Sequence, residues 1–188
     1  ERVINTSTSE VYGSAQQIPI TELHPLNAQS PYAATKVAAD QMALSFYRSF
    51  ELPVTIVRPF NTYGPRQSTR AVIPTIITQL AAGQTDIRLG ALSPTRDFNH
   101  VKDTATAFIA CARADNTIGD TLNLGSGREI SIGDLATTIA EVMDSPMTIT
   151  TDEQRLRPEA SEVDRLLADS NEALTQTDWQ PRYHGEQG

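Results

Sequence analysis

The sequence predicts an α/β protein: a doubly wound parallel sheet with a smaller mixed α/β lobe beside it. Three observations carry that expectation. Pro53-Val54-Thr55-Ile56-Val57 is an unbroken, largely β-branched run bounded by Pro53 and Pro59, the pattern of a strand buried on both faces. It follows a long amphipathic stretch opened by Ser30-Pro31, and that stretch follows the short apolar run Arg2-Val3-Ile4. Strand, helix, strand in this order is how parallel strands are joined.

The elements follow from local signals. Arg2-Val3-Ile4 reads as a buried strand running into the polar stretch Thr6-Ser7-Thr8-Ser9, and residues 14–30 read as loop. Ser30 is a natural N-cap and Pro31 suits the first helical position, so a helix runs from there to about Phe46, presenting Val37, Met42, Ala43 and Phe46 at helical spacing. After the strand at 53–57, residues 61–70 read as a turn-rich loop. A helix over about 71–82 closes at Gly83. Ile87-Arg88-Leu89 and Phe98-Asn99-His100-Val101 read as short strands, Lys102 to Ala114 as helix, and Thr121-Leu122-Asn123-Leu124 as strand. Ser131 with Asp134 three residues on opens a helix through Met143. Met147-Thr148-Ile149-Thr150 is a strand, and one more helical stretch lies between Ser161 and Trp179.

The 188 residues carry 39% hydrophobic and 20% charged side chains and a formal net charge of −8, the composition of a chain that folds around a core. An isoelectric point near 4.8 argues against nucleic acid as a partner, because phosphate binding needs clustered positive charge. No apolar run approaches the roughly 18 residues of a membrane span, and the opening residues lack a leader pattern, so no membrane partner and a cytoplasmic location are expected. The single Cys111 excludes an internal disulfide framework and sits in an apolar stretch as a core thiol. His24, His100 and His184 have no metal-ligand spacing, so no metal site is expected.

Two patterns carry chemistry. Tyr32 and Lys36 are four apart at the start of a helix, hence on one face. A phenol has a pKa of about 10, and a nearby ammonium group stabilises the phenolate, which lets Tyr exchange a proton with an alcohol. Ser7-Thr8-Ser9-Glu10 follows the first strand directly, the end at which open α/β sheets bind ligands, and offers three hydroxyls and a carboxylate.

Ser7-Thr8-Ser9-Glu10-Val11-Tyr12-Gly13, then Ser30-Pro31-Tyr32-Ala33-Ala34-Thr35-Lys36, then Arg58-Pro59-Phe60-Asn61-Thr62-Tyr63-Gly64-Pro65-Arg66 resemble one family closely. It is the extended short-chain dehydrogenases/reductases that act on nucleotide sugars, the NAD-dependent epimerase/dehydratase family. The likeness continues through Arg96-Asp97-Phe98 to Asp103, Asn123-Leu124-Gly125-Ser126-Gly127 and Arg157-Pro158. It implies that the chain is the C-terminal part of a Rossmann-like fold: residues 1–60 hold later strands of the NAD-binding domain and the catalytic helix. Residues 61–188 are mainly a substrate-binding lobe, with segments returning to the sheet.

The resemblance also implies roles. Tyr32 is the acid/base for oxidation of the sugar at C4 by NAD, Lys36 holds the nicotinamide ribose, and Thr8 bonds the C4 hydroxyl. Ser9 and Glu10 stand where 4,6-dehydratases remove the C5 proton and protonate the departing C6 hydroxyl. Ser7, Pro59 and Phe60 lie by the cofactor; Asn61, Arg96, Asn123 and Arg157 contact the nucleotide-diphosphate sugar, the arginines as diphosphate clamps. Ser9 in place of Asp resembles the GDP-mannose dehydratase pattern, and the wording from Val57 to Leu80 with Leu92-Ser93-Pro94-Thr95-Arg96-Asp97-Phe98 is similar to dehydratases of nucleotide-activated N-acetylglucosamine. The alternatives are a 4-epimerase, a UDP-glucuronate decarboxylase or a non-catalytic sugar-nucleotide-binding relative. Relatives pair through the helix bearing Tyr and Lys, so a homodimer is expected. No Gly-rich dinucleotide turn occurs in the sequence, and Gly125-Ser126-Gly127 is not one, since Ile stands at position 130. The expectation is therefore a chain truncated at its N-terminus.

Overall fold

The computed structural model describes residues 1–156 and 162–183. In chain order the elements are β1 (Val3–Thr6), α1 (Pro31–Phe50), β2 (Val54–Pro59), β3 (Asn61–Tyr63), α2 (Val72–Ala81), β4 (Asp86–Leu89), β5 (Thr95–His100), α3 (Val101–Arg113), β6 (Thr121–Leu124), β7 (Glu129–Ser131), α4 (Ile132–Val142), β8 (Thr148–Thr151), β9 (Arg165–Leu166) and α5 (Asn171–Gln176). Short 3-10 turns occupy Ser9–Tyr12, Asp115–Thr117 and Glu153–Arg155.

β1, β2 and β6 form one sheet in that order, and every pair is parallel: Ile4 lies opposite Thr55, Val57 opposite Leu122. β2 is the central strand, and residues 54–58 are all buried, as its unbroken apolar run predicts. Each fully enclosed Ile or Val there contributes about 1.5–3 kcal/mol. Val57, Leu122 and Leu124 pack against Ala107, Ala110 and Cys111 of α3, with Trp179 closing the cluster. β5 organises a second sheet, parallel to β3 and β9 and antiparallel to β7. β4 and β8 pair in parallel and bury Ile87 and Leu89 under α2 and α4. The mixed α/β sheet architecture is the predicted one.

Several boundaries differ from expectation. α1 continues to Phe50, because the stop is Glu51 at φ 55, a left-handed residue that is not Gly and so leaves no signal in the sequence. Residues 61–63, expected as loop, form β3 beside Phe98–His100, and β7 was not foreseen. β5 begins at Thr95, and Val101 already belongs to α3, whose N-cap is the His100 side chain accepting from Lys102 N. The polar segment after β1 is a 3-10 turn from Ser9.

Candidate active site

Because β1 and β2 are parallel, their C-terminal ends open on the same side, and the chemistry-bearing segments leave the sheet there. Beyond β1, Thr8 caps the 3-10 turn: its Oγ1 accepts from Glu10 N at 3.3 Å, so its own proton is left for another partner. The turn sets Thr8, Ser9 and Glu10 along one wall of a cleft of about 100 Å³. Pro59, Phe60 and Asn61 at the end of β2 line it as well, together with Arg96 of β5, Val163 and Leu166. Asn61 Oδ1 is a buried acceptor with no hydrogen-bond donor among the described residues. Arg96 Nη2 meets Glu162 Oε1 at 3.2 Å, and Nη1 donates to Thr95 O at 2.9 Å.

The helix beside this cleft is fixed at its start by Ser30, whose Oγ accepts from Ala33 N at 3.1 Å. Tyr32 is half exposed on its first turn. Lys36 Nζ lies 5.9 Å from the Tyr32 ring centroid and donates to Thr6 O at 3.0 Å. The Tyr–Lys face of α1 is thereby tied to the end of β1, and α1 packs on the Ser9–Tyr12 turn. Thr8, Ser9, Glu10, Pro59, Phe60, Asn61 and Arg96 share the cleft, while Tyr32 and Lys36 stand outside its lining.

Two expected site residues point elsewhere. Ser7 is buried and its hydroxyl donates to Asp40 Oδ2 at 2.8 Å. Asn123 is fully buried: Oδ1 accepts from the Tyr12 hydroxyl at 2.7 Å and Nδ2 donates to Ile20 O at 3.0 Å. The side chain is enclosed by protein groups and links Tyr12 to the Ile20 carbonyl. Burial pushes the Tyr12 phenol up, which keeps it a neutral donor to Asn123. Arg157 lies outside the described residues.

The sequence reading missed two buried carboxylates. Asp97, on β5 beside Arg96, accepts from Ser126 N, Ser126 Oγ, Gly127 N and Ala168 N, at 2.7–3.1 Å. Burial outweighs these four donors and pushes its carboxyl above the usual range. Asp40, one turn beyond Lys36, accepts from Asn5 Nδ2, Ser7 Oγ, and Arg58 Nε and Nη2. Among the described residues no group of three His, Cys, Asp or Glu side chains is placed to hold a metal, and no helix is long and apolar enough to cross a membrane.

A parallel sheet with Thr-Ser-Glu at the end of one strand, and Tyr and Lys a turn apart on the following helix, defines an extended short-chain dehydrogenase/reductase of the nucleotide-sugar epimerase/dehydratase class. Residues 1–188 match the family model for GDP-mannose 4,6 dehydratase, and the chain belongs to that family. It is 37% identical over 131 residues to the low-salt glycan biosynthesis protein Agl12 of Haloferax volcanii, covering 70% of this chain and 42% of that protein. It is 34% identical over 187 residues to the UDP-glucose 4-epimerase of Mycolicibacterium smegmatis, covering 96% and 58%. Among solved structures, the dTDP-glucose 4,6-dehydratase of Bacillus anthracis in complex with NAD superposes with a TM-score of 0.88 at 29% identity, over 100% of this chain and 58% of that one. The chain thus spans about half the length of the curated relatives it matches.

Proposed function

We propose that the protein containing this chain is an NAD-dependent nucleotide-sugar 4,6-dehydratase. Residues 1–60 supply the catalytic helix and the Thr-Ser-Glu turn, and residues 61–188 mainly the sugar-nucleotide side. The observation that carries the reading is Glu10, held in the cleft next to Thr8, while Lys36, with Tyr32 one turn before it, bonds the end of the same strand. The residues present fit the nicotinamide-ribose half of NAD: Lys36 places an ammonium at the end of β1, and Pro59 and Phe60 offer an apolar wall. Bound there, the cofactor supplies a hydride acceptor and, later, the donor.

The chain's own groups handle protons. Tyr32 Oη takes the proton from the C4 hydroxyl with the Lys36 charge beside it, and the Thr8 hydroxyl donates a hydrogen bond to the same oxygen. The resulting 4-keto group acidifies C5–H. Glu10 removes that proton and returns it to the C6 oxygen as the C6–O bond breaks, so water leaves. Ser9 stands against Glu10 on the same wall. Asn61 Oδ1, a buried acceptor, suits a donor on the sugar, and Arg96, and Arg157 from the sequence pattern, serve the diphosphate. We propose a cytoplasmic enzyme, a homodimer through α1, without nucleic-acid or membrane partners.

A 4-epimerase is the second reading, favoured by the alignment of 96% of this chain to 58% of the Mycolicibacterium smegmatis UDP-glucose 4-epimerase. Product NMR of the full protein separates the two, since only a dehydratase forms a 4-keto-6-deoxy sugar with solvent deuterium at C5. Glu10→Gln should lower elimination by roughly 10²–10⁴-fold and leave C4 oxidation near the parent rate. Equal loss of both steps would remove Glu10 from the role of C5 base.

A further inference from the structure

The buried ion pair beneath the Tyr–Lys face has no part in proton transfer, yet it joins β1, α1, β2 and the Ser9–Tyr12 turn. Arg58 of β2 and Asp40 of α1 are 4% and 0% exposed, with Nη2 and Oδ2 3.0 Å apart. Asp40 Oδ1 takes Asn5 Nδ2 at 2.9 Å, and Oδ2 takes Ser7 Oγ at 2.8 Å and Arg58 Nε at 3.2 Å. Arg58 Nη1 reaches onward to the Tyr12 hydroxyl at 2.9 Å, behind the Ser9–Tyr12 turn. Lys36, one helical turn before Asp40, holds Thr6 O. Residues 5, 6 and 7 at the end of β1 are thus each bonded to α1, at two successive turns. Thr8, Ser9 and Glu10 follow directly.

We propose that Asp40 and Arg58 are positioning residues: their pair fixes the height and rotation of α1 against β1, and so the placing of Tyr32 and Lys36 relative to Thr8 and Glu10. This rests on the dehydratase reading above. A buried pair is a poor source of net stability, because desolvating two charges offsets their attraction. A planar fork locked to a four-donor carboxylate does define one geometry. Misplacement of reacting groups by about 1 Å is enough to cost about a hundredfold in rate.

The test uses the full protein with its sugar nucleotide and records thermal midpoint, kcat and KM separately. The double variant D40N/R58Q removes both buried charges together, so neither is left unpaired, and Asn5→Ala removes one strand tie while the ion pair stays. Positioning predicts that kcat falls about tenfold or more in D40N/R58Q and about two- to fivefold in Asn5→Ala, with KM within about threefold, in protein that is folded at the assay temperature. Folded variants that keep the parent kcat overturn the inference; if the double variant does not fold, Asn5→Ala decides alone. Tyr32→Phe is the control. If it is inactive while the network variants run at the parent rate, only the positioning role fails. If it retains turnover, the catalytic reading of α1 fails and the positioning role with it.

Discussion

Cys111 illustrates how burial decides what a side chain can do. The residue lies in α3 with no exposed surface, and burial pushes its thiol up to about 11. In the unfolded chain a free thiol ionises at about 8.5. The folded state therefore keeps a proton that the unfolded state gives up. The thiol's contribution to stability is full below about pH 8.5 and is lost as pH rises toward about 11. Two measurements follow. Iodoacetamide at pH 8 should leave the native thiol intact and alkylate the urea-unfolded chain; modification of native protein at the free-thiol rate would contradict the burial. The urea midpoint should also decline above pH 8.5 in the parent more steeply than in Cys111→Ala. The core placing of this residue was legible from its apolar neighbours. Asp40, Arg58, Asp97 and Asn123 were not, because a charged or amide side chain gives no sign in the sequence of which partners will enclose it.

At the scale of elements, what the sequence revealed was what local chemistry determines. The start of α1 at Ser30-Pro31, the buried strand β2 and the capped start of α4 each rest on a few adjacent residues. Ser131 Oγ accepts from Asp134 N at 3.0 Å and donates to Asp134 Oδ2 at 2.7 Å, as the spacing predicts. β3 and β7 are only three residues long and exist through their register with β5, a long-range condition no local pattern carries. The turn between β6 and β7 is a further case. Gly125 and Gly127 resemble a motif, but the structure gives them different reasons. A Cβ at Gly125 would run into Ala168 Cβ and stand 2.7 Å from Asp97 Oδ2. Gly127 is at φ 70 in open space, so only its backbone conformation opposes a side chain. Gly125→Ala should therefore cost about 1–3 kcal/mol and Gly127→Ala about 1–2 kcal/mol, read as shifts in the urea midpoint.

At the scale of the whole molecule, two surfaces among the described residues bear on assembly. β1 pairs only with β2 among the described residues, which leaves a strand edge beside the half-exposed Val3. On α1, Met42, Phe46 and Phe50 are 64%, 46% and 73% exposed at helical spacing, and the two phenylalanine rings lie 5.6 Å apart. This apolar stripe lies on the helix that also carries Tyr32 and Lys36, toward its opposite end. If a second copy covers the stripe, as the proposed homodimer requires, the pairing holds α1 from outside while Asp40 and Arg58 hold it from within. The full protein should then sediment as a dimer, and F46E/F50E, which places two carboxylates in that interface, should weaken association by roughly a hundredfold or more. A monomeric parent in analytical ultracentrifugation at micromolar concentration rules the homodimer out. A parent dimer that F46E/F50E leaves intact moves the interface to another face. Activity gives the coupling: if pairing steadies the catalytic helix, turnover of the charge variant rises with protein concentration as dimers re-form, whereas a variant that stays monomeric at the full parent rate shows that the buried pair alone is sufficient to set α1.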